Sequence, residues 1–228
     1  MTVRRAAFFD VDGTLTQVRT WAGIINYFRQ RGEKRLTYAR FWLYHSILYL
    51  LFKIGLVSQV GYREPWAANL GWFLKGLYME EAQALWDWVV TIYFGPNWHS
   101  HSLDILKQHK EQGDLIVLIS ASPAPLVQRV AEELGADVAV ATEFEVREGR
   151  FTGKTSDEVC IAERKAVHAK RKLEELGIEV DFENSASYAD SSGDLSMLEM
   201  VGRPVALNAD EVLLPIARER GWEIISSR

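Results

Sequence analysis

The spacing of hydrophobic positions divides the chain into three stretches. The first, Arg4 to Leu15, carries the run RAAFFDVDG, apolar and then abruptly acidic, the profile of a buried strand that ends in a polar loop. The second, about Val18 to Asn97, has a helical period and is dense in aromatics, with Arg31-Gly32, Gly55, Gly71 and Gly95-Pro96 as its expected helix divisions. The third, from about Trp98 onward, alternates the two periods. SLDILKQHKEQG predicts an amphipathic helix closed by Gly113, and DLIVLISAS a β-branched strand. PAPLVQRVAEELG predicts a helix that starts on prolines and stops at Gly135. VAVATEFEVREGRFTG predicts strands joined by a turn at Glu148-Gly149, ERKAVHAKRKLEELG a helix, and PVALN a further strand.

Strands alternating with helices imply parallel βαβ units and a sheet covered on both faces. The expected fold is therefore α/β: a doubly wound, Rossmann-like parallel sheet made by residues 1–17 and 98–228. The all-helical stretch 18–97 is inserted after the first strand. Seven of the eight tryptophans lie between Trp21 and Trp98, which gives the insertion a composition of its own.

Composition narrows the function classes. The chain has 228 residues, 48% of them hydrophobic, and a net charge of −5, so it does not look like a nucleic-acid binder. One cysteine, Cys160, excludes an internal disulfide and suits a reducing compartment. The acidic pair near the start interrupts any signal-peptide pattern, so a cytoplasmic location is expected. Tyr38 to Val57 is apolar nearly all round a helix, yet Arg40, His45, Ser46 and Lys53 leave it short of the roughly 20 apolar residues that a span requires. It reads as a buried or interface helix, with membrane-surface contact as the lesser alternative and either a monomer or a homodimer allowed.

Two carboxylates, Asp10 and Asp12, end the first strand on one face. Like charges so close favour a bound cation or a retained proton. Three more polar clusters fall where strands end or helices start: Ser120/Ser122, Lys165, and Asp190/Asp194. In open α/β sheets that edge is where ligands bind. Ser122 followed by Pro123 also reads as a helix N-cap, Asp194 as a cap for the DLSMLEM helix, and Lys165 has Arg164, Lys170, Arg171 and Lys172 as basic neighbours. His99 and His101 have no third ligand nearby and read as hinge or surface residues; Cys160 reads as packing.

DVDGTLT, the serine of LISAS, Lys165 and YADSSGD together resemble the four motifs of haloacid-dehalogenase-type phosphohydrolases. The resemblance is to the phosphoserine-phosphatase-like branch, which has a helical cap after the first motif. It implies a phosphomonoester hydrolase that works through an aspartyl phosphate on a small or partly apolar organic phosphate. Asp10 would be the nucleophile and Asp12 the proton carrier. Ser120, Lys165, Thr14 and Gly13 would hold the phosphoryl group. Asp10, the Asp12 carbonyl and Asp190 would ligate Mg²⁺, and Asp194 would order the metal's waters. A phosphotransferase or mutase with the same chemistry is the alternative, and a phospho-acceptor signalling or binding module a more distant one. Phosphoserine phosphatases place an acidic residue nine positions after the nucleophile, where this chain has Arg19. A guanidinium repels an ammonium and attracts a carboxylate or phosphate, which marks Arg19 as the candidate specificity residue. Trp42, Tyr44, Tyr49, Phe52, Trp66, Trp72 and Phe73 form either a pocket for an apolar leaving group or the insertion's own core.

Overall fold

Strand β1 (Ala6–Asp10) is buried along its whole length, as its unbroken apolar run requires of a central parallel strand. The computed structural model describes residues 3–226. Phe9 packs among the helices of one side and Phe8 among those of the other, the alternation of a strand covered on both faces. On either side of β1 lie β2 (Leu115–Pro123) and β6 (Ala186–Ala189), both parallel to it. With β3 (Val138–Thr142), β7 (Arg203–Leu207) and β8 (Glu223–Ile225) they form one parallel sheet in the order β3-β2-β1-β6-β7-β8. The order reverses direction at β1, the switch point where a doubly wound sheet opens a crevice beyond its carboxyl ends.

Helices α6 (Ser100–Glu111) and α7 (Ala124–Leu134) cover one face, and α8 (Arg164–Glu175), α9 (Leu195–Glu199) and α10 (Leu213–Glu219) cover the other. One detail departs from the sequence reading. Pro123, not Ser122, is the capping residue of α7, and Ser122 stays in β2 with its N–H bonded to Ser120 Oγ at 3.2 Å. Strand β8 was not anticipated; three residues with exposed flanks carry too little period to reveal it.

Between β1 and β2 run α1 (Thr20–Gln30), α2 (Arg35–Lys53), α3 (Gln59–Ala68), α4 (Gly71–Leu74) and α5 (Met79–Trp88), then a π-helical stretch Val89–Phe94. The chain leaves and re-enters the sheet through one crossing: Gln17 N donates to Asn97 O at 2.9 Å and His99 N to Leu15 O at 2.9 Å. A hairpin of β4 (Phe144–Arg147) and β5 (Arg150–Thr155), turning at Glu148-Gly149, reaches up from the sheet to meet these helices. Residues 76–79 exchange backbone hydrogen bonds with 149–151. Gly71 lies against β5 so closely that a Cβ would fall 2.5 Å from the Gly153 carbonyl, which is why α4 starts on glycine.

The centre of the helical insertion is Phe41, ringed by Trp42, His45, Trp66, Trp72 and Phe73. His45 is 1% exposed; its Nε2 lies 3.4 Å from Asn69 Nδ2 and its Nδ1 meets no hydrogen-bond partner among the described residues. Burial lowers its pKa to about 4. A base whose folded pKa lies below the unfolded one binds fewer protons folded than unfolded between those values, so stability is lost as pH falls from about 6.5 towards 4. The expected loss is roughly 1–2 kcal/mol. Thermal melts across that pH range in wild type and His45→Leu check it; the variant should show the smaller acid-dependent drop.

Candidate active site

Asp10 is the last residue of β1, and Asp12 follows at the start of a tight loop. Gly13 allows that loop: its φ is +96°, and a Cβ there would lie 2.0 Å from Asp190 Oδ2. Its N–H is bonded to Thr16 O at 2.8 Å, and Thr14 Oγ1 donates to Asp10 Oδ2 at 3.3 Å. Gly13 thus shapes the loop and Thr14 holds Asp10, while neither is among the residues that line the cavity described below. The Asp12 carboxylate is turned to the first turn of α1, where Thr20 N donates to Oδ1 at 2.9 Å and the Thr20 hydroxyl donates to the same oxygen. A helix N-terminus favours a carboxylate there.

The other three clusters converge on this point. Ser120 lies one residue beyond the β1–β2 pairing, buried beside Asp10's end of the sheet. Lys165, in the first turn of α8, is buried; its Nζ is 2.6 Å from Asp10 Oδ1 and also contacts Asp194 Oδ1. Arg164 points elsewhere, in a two-pronged pair with Glu64 of α3 at 2.6 and 3.2 Å. Asp190 follows β6 directly. Asp194 stands at the cap position of α9 but makes no capping hydrogen bond; its carboxylate accepts from Ser191 Oγ at 3.0 Å and binds Lys165.

Asp10, Asp190 and Asp194 are all buried, and each offers one carboxylate oxygen within 4.8 Å of the others. The electrostatics are strained accordingly. Burial raises the pKa of Asp10 well above the usual carboxylate range, against the pull of Lys165 and with a push from Asp194 and Asp190. Burial likewise lifts Asp190 to about 6, partly offset by Arg19. Burial raises Asp12 too, opposed by its bonds from Thr20. Arg19 supplies a second cation: its guanidinium donates to the Asp12 carbonyl and to Asp190 Oδ2, the latter at 3.1 Å.

These groups line a cavity of about 440 Å³ walled on the far side by Trp21 of α1, by Tyr62, Arg63 and Trp66 of α3, and by Leu70 just before α4. Of the aromatics singled out from the sequence, Trp66 alone reaches this wall. Phe73 is buried and Trp42 and Trp72 partly so around Phe41, while Tyr44, Tyr49 and Phe52 lie outside the cavity. Sequence reasoning missed Arg63, Tyr62 and Trp21. Their one signal was the pair YR one turn before Trp66, which becomes meaningful only when α3 is seen to lie over the sheet edge. His101 is exposed and His99 half-buried, both away from the acidic cluster, and Cys160 is buried with its thiol pushed up to about 12 by desolvation.

The family profile of haloacid dehalogenase-like hydrolases matches residues 7–199. The chain belongs to that family. It is an enzyme of the phosphatase type, in the phosphoserine-phosphatase-like branch. It is 33% identical over 226 residues to a putative hydrolase of Mycobacterium leprae, covering 96% of this chain and 71% of that one. It is 30% identical over 224 residues to a protein of Mycobacterium tuberculosis named phosphoserine phosphatase SerB1, covering 96% and 70%. Among solved structures, a Bordetella pertussis protein of unknown function superposes with a TM-score of 0.82 at 27% identity, over 98% of this chain and 99% of the other. A substrate-bound phosphoserine phosphatase shares the fold, with a TM-score of 0.61 at 18% identity.

Proposed function

We propose that this family member hydrolyses small phosphomonoesters through an aspartyl phosphate on Asp10. The observation that carries this reading is the convergence of Asp10, Asp12, Ser120, Lys165, Asp190 and Asp194 on one cavity. An Asp10 oxygen attacks phosphorus as the bond to the leaving alkoxide breaks, and the Asp12 carboxyl gives its proton to that oxygen. Water then attacks the phosphorus of the aspartyl phosphate, Asp12 takes the proton, and inorganic phosphate leaves Asp10 free. A raised pKa suits Asp12 to the first step, because an acid must still hold its proton near neutral pH. Ser120 and Lys165 supply a hydrogen bond and a positive charge to the phosphoryl oxygens.

The donor set fits Mg²⁺. Carboxylates of Asp10 and Asp190 and the Asp12 carbonyl are hard oxygens, with Asp194 beside them. The Arg19 guanidinium, seated between the Asp12 carbonyl and Asp190, acts as a stand-in cation at those same donors. When bound, the metal would neutralise charge on the transferring phosphoryl group. Arg19, displaced from those donors, would then be available to an anionic part of the substrate.

The cavity wall suggests the rest of the substrate. Trp21, Tyr62, Trp66 and Leu70 offer apolar contact. Arg63 lines the cavity with no hydrogen bond or ion pair among the described residues. A free guanidinium facing a reaction cavity calls for an anion. The substrate is thus read as a phosphomonoester with a partly apolar leaving group and a second acidic group. Arg63→Gln should raise KM roughly 10- to 100-fold for such a substrate, leaving kcat nearly unchanged, and should barely affect an aryl phosphate with no second charge. Steady-state kinetics on the two substrates checks this.

We further read residues 18–97 as a cap on a core of 1–17 and 98–228, with a cytoplasmic location. The crossing at 15–17 and 97–99 supports the boundaries, and the Glu64–Arg164 pair would hold the cap closed. The test of the whole reading is phosphate release from a panel of aryl, sugar, amino-acid and lysophospholipid phosphates, with and without Mg²⁺. No turnover of any member by the folded, Mg²⁺-loaded protein would overturn it.

A further inference from the structure

Helix α2 turns only Phe41 and His45 fully inward. On the opposite side, Leu36, Leu43, Ile47, Leu50 and Ile54 recur at helical spacing, between 52% and 88% exposed. They make one apolar stripe about 27 Å long at 1.5 Å per residue. The surface continues through Leu56 and Val60 to α3, where Arg63 lines both the cavity and the smaller cleft beside it. A single exposed leucine needs no explanation, but a continuous stripe on one helix does.

Charge decides what covers it. From Lys34 to Lys53 there are four basic residues, Lys34, Arg35, Arg40 and Lys53, and no acidic one, in a chain whose net charge is −5. A second copy of the helix is a poor fit. Parallel pairing sets Arg40 beside Arg40. The antiparallel register that matches Leu43 with Leu50 sets Arg40 against Lys53, and the segment has no carboxylate to relieve either arrangement. An anionic bilayer surface satisfies both features: apolar side chains enter the headgroup boundary while lysine and arginine reach back to lipid phosphates. Arg40 and Lys53 are already laid over the Trp72 and Tyr49 rings, at 4.0 and 5.4 Å, with their charges at the surface. No helix of the described residues is long and apolar enough to cross a membrane, so the contact is with the surface.

We propose that the exposed face of α2 docks the protein onto anionic lipid surfaces. The test is co-sedimentation of the full chain with phosphatidylcholine vesicles and with vesicles doped with phosphatidylglycerol, at low and high salt. Binding is expected to the doped vesicles only, to weaken as salt rises, and to drop roughly tenfold in Leu50→Glu and again in Leu43→Glu. Both variants should keep wild-type circular dichroism and wild-type hydrolysis of a soluble aryl phosphate, which separates docking from folding and catalysis. Absence of binding to doped vesicles, or binding indifferent to both substitutions, would overturn the proposal. So would sedimentation equilibrium showing a lipid-free dimer that Leu43→Glu dissociates, since the stripe would then belong to a second copy.

Discussion

Asp10→Asn should abolish phosphate release, by roughly 10⁴-fold or more, without unfolding the protein. The two halves of that expectation come from different parts of the geometry. Asparagine keeps the shape of the side chain at the end of β1 but has no anionic oxygen to attack phosphorus. Meanwhile the buried cluster loses one of three mutually repelling carboxylates, and Lys165 retains Asp194 as a partner. Because burial already opposes the charge on Asp10, the melting temperature of the variant in EDTA should equal or exceed that of wild type. Asp12→Asn gives the contrast. Its loss should be about 10²–10⁴-fold with an alkyl phosphate and smaller with an aryl phosphate, whose leaving oxygen needs less help from a proton. Initial rates on both substrates, with thermal melts of each variant, check these outcomes. An Asp10→Asn enzyme within tenfold of wild type would remove Asp10 from the chemistry.

The inner strands of the sheet were legible in the sequence because they are largely buried and read as mainly apolar runs that give way to polar residues at the edge where ligands bind. The edge strand β8, with Glu223 and Ile224 exposed, was not. Asp10 ends β1, Asp190 follows β6, Ser120 lies one residue past the β1–β2 pairing, and Lys165 lies in the first turn of the helix expected to carry it. The partners of these residues were not legible. Thr20 on Asp12, Ser191 on Asp194 and Arg19 on the Asp12 carbonyl each depend on the path of a loop, which hydrophobic period does not encode. The aromatics of the insertion misled for a related reason. A period of 3.6 shows that α2 has apolar positions on every side, but which side meets α3 is decided by tertiary packing around Phe41. The buried set Asp114–His109–Tyr188, with both contacts at 2.7 Å, joins residues from α6, the turn after it and β6, and had no local signature at all. The hairpin was foreseen as a hairpin, yet its pairing with residues 76–79 links segments about seventy positions apart.

Lys165→Met should be the most destabilising substitution at the site. Nζ sits between Asp10 and Asp194, with side chains on both sides 6% exposed. Methionine fills much of the lysine stem's volume, so little of the effect is packing. What is lost is the only buried cation among the described residues that touches those two carboxylates. Removing one partner of a buried ion pair typically costs about 3–5 kcal/mol, because the other charge stays desolvated. The pH dependence follows from the raised pKa of Asp10, which loses its strongest stabilising neighbour and moves further up. A carboxyl whose folded pKa exceeds its unfolded value binds more protons folded than unfolded, so it destabilises above that range and the penalty shrinks as pH falls. The stability deficit of Lys165→Met should therefore narrow from neutral pH towards pH 5, the reverse of the trend expected from His45. Urea titrations of wild type and variant at several pH values, in EDTA, measure this directly. Adding Mg²⁺ should restore stability to the variant by more than it stabilises wild type, since a divalent ion at Asp10 and Asp190 supplies the missing positive charge. Equal effects of Mg²⁺ on the two proteins would mean that the metal and Lys165 do not answer to the same carboxylates.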